Sequence, residues 1–219
     1  VARAALKKKP PPEVEFFDEV EQGSPDWYEL RLGTPTASCA AMVLRDADAK
    51  TRVEYMRKLA GELMTGKPAE GKIVTAAMQR GNDMEPLARE HYERSYLITV
   101  ERVGFVRRRL PSGRFVGCSP DGLLSRRSRG LEIKTVAPHL LIPLLEPTAS
   151  IPSEHLAQVR WTQWVCDLDA VDLLLFYEGM PPRSFTVKRN EAAIAEVAAA
   201  AEVFDHELHR LYAKLRGML

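Results

Sequence analysis

Three observations predict an α/β fold with a central mixed sheet flanked by helices. Helical stripes of apolar residues come first, strand-like segments cluster from Leu97 to Val136, and a helix, two strands and a last helix follow. Leu131 to Val136 alternates apolar and polar side chains with period two, the pattern of a half-buried strand. Val171 to Tyr177 is an apolar run of the kind found in strands covered on both faces. The 219 residues are enough for one well-buried domain, and 45% hydrophobic with 28% charged residues is an ordinary globular balance.

The first twelve residues, with Lys7-Lys8-Lys9 before three prolines, are expected to form a mobile basic arm, leaving 13–219 as a single domain. Ser24 is a favourable helix cap, with Pro25 at the first helical position and Asp26 in the first turn; this helix stops near Gly33. Thr36 or Ser38 starts a second short helix through Met42. Val53, Met56, Leu59, Ala60 and Leu63 form a helical stripe that Gly66 ends. A longer helix is predicted from about Gly71 to Ser95. Gly81 inside it costs roughly 1 kcal/mol relative to alanine, so it marks either a close approach by another backbone or a local break.

Strands are predicted over Leu97 to Arg109, Arg114 to Leu124 and Leu131 to Val136, the last two joined as a hairpin by a basic turn. Leu140 to Leu145, interrupted by Pro143, reads as a buried loop. Pro152 or Ser153 caps a helix ending near Asp167. Val171 to Tyr177 pairs with Arg183 to Lys188 through a Gly-Met-Pro-Pro turn, and Asn190 caps an alanine-rich helix to about Leu215.

The chemistry concentrates in Arg114 to Val136. The hairpin brings Asp121 beside Glu132, eleven residues further on, and Glu132 and Lys134 share one strand face. Two carboxylates and an ammonium at a sheet edge suit metal-dependent phosphodiester hydrolysis: the acids hold hard cations, and the lysine orients or activates a water. Ser-Pro-Asp-Gly alone is an ordinary turn, and Glu-x-Lys alone an ordinary cross-strand ion pair. In this order across a hairpin they read as an acid…ExK nuclease core. Glu85 has two readings, an i,i+4 ion pair with Arg89 or a third acid of the site. Arg31 and Ser38 are either surface groups near helix caps or a phosphate site. Gln158 reads as a polar surface position, and His206 with His209 as a solvated helix face.

Eight arginines stand from Arg102 to Arg129 against one acid, Asp121, which favours contact with a phosphate backbone. The net charge of +1 gives no global case for nucleic acid. Cys39, Cys118 and Cys166 form no CxxC pair and are expected to be reduced thiols of a cytoplasmic protein. No run approaches the roughly 18 apolar residues of a membrane span, and no leader pattern is present, so no membrane association is expected.

Five blocks extend the pattern. They are Trp27-Tyr28-Glu29-Leu30-Arg31 with Thr36-Ala37-Ser38; Arg80 to Arg89 (RGNDMEPLAR) with Tyr92-Glu93; Ser119-Pro120-Asp121-Gly122; Leu131-Glu132-Ile133-Lys134-Thr135; and His155-Leu156-Ala157-Gln158-Val159. In this order they resemble the phage lambda exonuclease family, the YqaJ-type viral recombinase nucleases of the PD-(D/E)xK superfamily. The resemblance implies a restriction-endonuclease-like core and a Mg²⁺-dependent 5′→3′ exonuclease on double-stranded DNA ends. Such an enzyme releases 5′-mononucleotides and leaves a 3′ single strand for a single-strand annealing protein.

By the same resemblance, Asp121, Glu132 and the Ile133 carbonyl would ligate one Mg²⁺, with Mn²⁺ the alternative, and Glu85 would face a second ion. Lys134 would position the attacking water. Arg31, Ser38, Ser119 and Gln158 would receive the terminal 5′-phosphate, and Met78 is the candidate strand-separating wedge. A homotrimeric ring encoded by a phage or prophage and working in the bacterial cytoplasm is implied too. Arg160, where the family often has a second glutamine, and the basic arm depart from the pattern. The alternatives are a related nuclease of other polarity, an endonuclease, or a catalytically silent DNA-end-binding module.

Overall fold

The computed structural model describes residues 14–69 and 76–219, the side chains of 76–78 excepted. The arm expected over residues 1–12 lies outside the described residues. Helix α1 (Pro25–Arg31) is capped as its sequence requires, Ser24 Oγ accepting the Trp27 N–H at 3.3 Å. A single 3₁₀ turn (Ala37–Cys39) leads into α2 (Ala40–Val43), and α3 (Lys50–Thr65) closes on Gly66 in the left-handed region at φ 64°. Helix α4 (Ala76–Tyr96) runs unbroken past Gly81 and Pro86. Of the two readings of Gly81, the local break is not realised, and what comes near is a side chain and not a backbone: a Cβ there would lie 3.5 Å from the Thr135 hydroxyl.

The predicted single sheet is two sheets. Strands β1 (Val14–Phe17), β2 (Phe105–Arg109) and β3 (Phe115–Cys118) form an antiparallel three-stranded sheet. Strands β4 (Gly122–Leu124), β5 (Arg129–Thr135), β6 (Ala170–Phe176) and β7 (Arg183–Lys188) form a mixed four-stranded sheet in that order, with β5 and β6 parallel. The segment expected as one strand from Arg114 to Leu124 is thus divided between the two sheets. Pro120 has no N–H to give a ladder, and the side chains of Ser119 and Asp121 on either side of it are engaged elsewhere. The first predicted strand also begins late, after Leu97 at φ 51° and an isolated bridge from Glu101 to Leu123. Strand β1, four residues long, is too short to show a period in sequence.

A parallel pair needs a crossover, and here it holds α5 (Pro138–Leu141), a 3₁₀ turn (Ile142–Leu145) and α6 (Ser153–Cys166). The loop expected at Leu140 to Leu145 is therefore helical. Only Leu141 in it is fully buried; Leu140 and Ile142 are exposed. Helix α4 covers one face of the four-stranded sheet. Helix α6 covers the other and also touches β2, β3, α2 and the last helix, α7 (Glu191–Arg216), whose cap is Asn190.

Strand alternation sorts side chains between these layers. Leu131, Ile133 and Leu174 pack with Ala88 and Tyr92 of α4, whereas Leu173 and Leu175 belong to the larger core with Val159 and Trp161 of α6. Burying each of these leucines contributes on the order of 2 kcal/mol. The same alternation leaves Glu132 and Lys134 on the α6 side of β5, where Gln158 of α6 reaches Glu132.

Candidate active site

Gly122 of β4 pairs with Leu131 of β5, which sets Asp121 just outside the ladder beside Glu132. Asp121 Oδ2 accepts the Ile133 N–H at 2.6 Å. Glu132, 2% exposed, accepts twice on one oxygen: from Lys134 Nζ at 2.8 Å and from Gln158 Nε2 at 2.5 Å. Burial pushes the Asp121 carboxyl well above the usual carboxylate range, and the charges of Glu132 and Glu85 push it further against the pull of Lys134. Burial draws the Lys134 ammonium down, but Glu132, Asp121 and Glu85 outweigh it and leave it above its ordinary value. His155 is held below its ordinary value by burial and then by the charge of Lys134.

Both readings of Glu85 meet in the structure. It forms the i,i+4 ion pair with Arg89, and it is close enough to Asp121 to raise that carboxyl. Arg89 in turn donates from Nε to the Asp121 main-chain oxygen at 3.2 Å, a contact the sequence spacing did not suggest. The acids open into a cavity of about 730 Å³ lined by Tyr28, Asn82, Glu85, Arg89, Arg102 and Asp121 among others.

Hard divalent cations take oxygen ligands, and carboxylates without His or Cys suit Mg²⁺ or Mn²⁺. Asp121 and Glu132 fit that chemistry, and a raised Asp121 pKa is the mark of carboxylates in want of a counter-charge. Among the described residues no three acidic, His or Cys side chains converge on one ion-binding point. A cation here would therefore rest on the Asp121–Glu132 pair and complete its shell with main-chain and water oxygens.

A second pocket lies next to the first and shares Tyr28 with it. The Arg31 guanidinium sits 4.2 Å above the Trp27 ring and donates to Thr36 Oγ1 at 3.3 Å; that hydroxyl is 3.4 Å from Ser38 Oγ. The Trp27 indole N–H donates to Ser119 Oγ at 2.8 Å. Burial lowers the Arg31 pKa, and among the described residues no carboxylate lies within ion-pair distance of it. This cavity, about 290 Å³, is lined by Tyr28, Arg31, Thr36, Ser38, Tyr55 and Lys58 among others. Tyr28 lines both cavities.

The structure thus brings Arg31 and Ser38 together, joins Ser119 to them through Trp27, and turns Gln158 toward Glu132. Trp27 and Thr36 were missed as site members, although both lie inside a quoted block. The Met78 side chain lies outside the described residues. The arginine cluster is a correction: six of the eight are tied into intramolecular ion pairs, Arg107 and Arg109 with Glu15, Arg108 with Asp167, Arg114 with Asp205, Arg127 with Asp18 and Glu101, and Arg129 with Asp172. Apart from Glu101, which stands just before Arg102, their acids lie well outside the counted stretch, so a local count could not find them.

Residues 26–169 match the YqaJ-like viral recombinase domain. Among solved structures, the chain is similar to an alkaline exonuclease (LHK-Exo) from Laribacter hongkongensis, with a TM-score of 0.78 and 28% identity over 89% of this chain and 97% of that one. LHK-Exo in complex with dAMP matches equally well. A phage related exonuclease from Haemophilus somnus 129PT shares the fold, with a TM-score of 0.53 and 14% identity over 81% of this chain and 96% of that one. No curated protein sequence matches. The ExK hairpin, the mixed sheet between α4 and α6 and the extent of the domain match agree: the chain has the PD-(D/E)xK fold and belongs to the family of YqaJ-like viral recombinase domains.

Proposed function

We propose that the chain is a Mg²⁺-dependent exonuclease that digests duplex DNA 5′→3′, releases 5′-mononucleotides and leaves a 3′ single strand. One observation carries this reading. Across Tyr28, crowded carboxylates lie on one side and a half-buried guanidinium without a carboxylate partner among the described residues lies on the other. A strand end with a terminal phosphate and a phosphodiester one nucleotide further in answers both needs at once. The Laribacter hongkongensis relative is an alkaline exonuclease and has been crystallised with dAMP, the product class this reaction would release.

In this reading Arg31 offers the 5′-phosphate a bidentate fork, and Ser38 and Ser119 offer hydroxyl donors. Gln158, which donates to Glu132, would complete the phosphate set. Asp121, Glu132 and the Ile133 carbonyl would hold one cation, and Glu85 would face a second on leaving Arg89. Bound Mg²⁺ supplies neutralisation of the scissile phosphate and a lower pKa for the attacking water. Lys134, beside Glu132 at 2.8 Å, would position this water. Arg102, in the wall of the carboxylate cleft, would meet the strand beyond the scissile bond.

The test is digestion of a linear duplex labelled separately at each 5′ and 3′ end, with Mg²⁺ and with chelator. Cation-dependent early loss of the 5′ label as mononucleotide is the expected result. Release from the 3′ end or internal cleavage rejects the polarity, and end binding without cleavage under any divalent ion makes the chain a binding module. The proposal includes a homotrimeric ring around DNA and a single-strand annealing protein as partner on the 3′ strand. Sedimentation at three times 24.6 kDa is expected, and a monomer at micromolar concentration rejects the ring.

A further inference from the structure

Tyr28 has no part in the chemistry described above, yet it occupies the wall between the two pockets. It projects from α1, three residues before Arg31, and it lines both the cavity of Arg31 and Ser38 and the cavity of Asp121 and Glu85. The residue is 38% exposed, and its ring meets the buried Trp27 edge-on, with centroids 5.0 Å apart and planes at 76°. Trp27 is fixed from three directions, by the Ser24 cap, the Ser119 hydroxyl and the Arg31 guanidinium. An exposed aromatic ring therefore rests on a rigid base, so little side-chain entropy is lost when something covers it.

We infer that Tyr28 is the stacking platform for the nucleobase of the 5′-terminal nucleotide. This rests on the exonuclease reading, because it takes the Arg31 pocket for the terminal phosphate and the carboxylates for the next one. The terminal sugar and base must then lie over the residue that separates the two pockets, and that residue is Tyr28. Stacking is indifferent to base identity, since every base has a π-face, which suits an enzyme that must digest any sequence. Tyr28 touches the substrate without touching the reacting atoms, so it acts by positioning: it holds the terminal nucleotide flat and keeps the following phosphodiester over Asp121 and Glu132.

The test uses duplexes with a 5′-phosphate and a terminal 2-aminopurine, whose fluorescence is quenched by stacking. They are mixed with the full-length protein in chelator, so that no cleavage is needed. Wild type and Tyr28→Phe are expected to quench the probe, and Tyr28→Ala is expected to leave it bright. Equal quenching by Tyr28→Ala, or none by wild type, overturns the inference.

A second arm measures removal of the first nucleotide with Mg²⁺, from a normal end and from an end whose terminal nucleotide is abasic. The abasic end should slow wild type and Tyr28→Phe by about tenfold, the size of one stacking interaction, and should not slow Tyr28→Ala further. An equal abasic penalty in all three proteins overturns the inference while leaving the exonuclease reading intact. Absence of cleavage by wild type from any end rejects the exonuclease reading, and the quenching result then stands by itself.

Discussion

Two aspartates beside the same sheet show how differently a fold treats a carboxylate. Asp172 of β6 is 2% exposed and fully matched: Tyr92 and Arg129 donate to one oxygen, and Thr186 donates to the other at 2.6 Å. Asp121 receives one main-chain N–H and faces two further carboxylates. Asp172 joins α4 to the central strand through Tyr92, whose hydroxyl burial and then Asp172 push up, so it remains a donor. A buried acid with a complete set of donors belongs to the scaffold, whereas one held against like charge is arranged for something that arrives from outside.

This contrast can be broken most directly at Asp121. Asp121→Asn is expected to lower cleavage by about a thousandfold or more, because a cation ligand is lost. Its melting temperature in chelator should be unchanged or higher, since a crowded negative charge is removed; a clear fall would place Asp121 with the scaffold acids. Lys134→Ala should likewise abolish cleavage while leaving DNA binding intact, and normal cleavage would take Lys134 out of the mechanism.

Asp172→Ala should do the opposite. It strands Arg129 and the Tyr92 hydroxyl, and urea unfolding is expected to show a loss of about 3 kcal/mol. Cleavage per folded molecule should stay within a few-fold of wild type, and a catalytic loss as deep as that of Asp121→Asn would erase the distinction.

Arg31 extends the comparison to positive charge. Arg31→Ala is expected to remove the preference for 5′-phosphorylated over 5′-hydroxyl ends, an effect of about ten- to a hundredfold. An unchanged preference would put the terminal phosphate elsewhere. The smallest effect is expected at Arg107, which is tied to Glu15. Its change to alanine should alter duplex affinity less than about threefold and leave the salt dependence in place. A slope reduced by about one would return Arg107 to the DNA-contacting set.

Much of the site was legible because it is local. The period-two alternation around Glu132 and Lys134 and the turn at Pro120 set Asp121 beside Glu132, only eleven positions further along. Arg31 and Ser38 sit within one short block and meet across Thr36. The arginines could not be read in this way. Arg114 finds its acid at Asp205 and Arg129 at Asp172, partners that reach them only after the sheets and α7 are assembled.

The sequence by itself determined the helix caps at Ser24 and Asn190, the stop at Gly66, the apolar run of β6 and the order of the acids along the chain. These follow from backbone preferences and side-chain periods that act over a few residues. Only the tertiary structure decided that the chain changes sheets at Pro120, that β1 pairs with β2, that Arg89 links Glu85 to Asp121, and that the indole of Trp27 joins Ser119 to Arg31. Each of those depends on partners far apart in sequence, Trp27 and Ser119 being 92 residues apart. Their meeting is governed by how whole layers close on one another and not by any local preference.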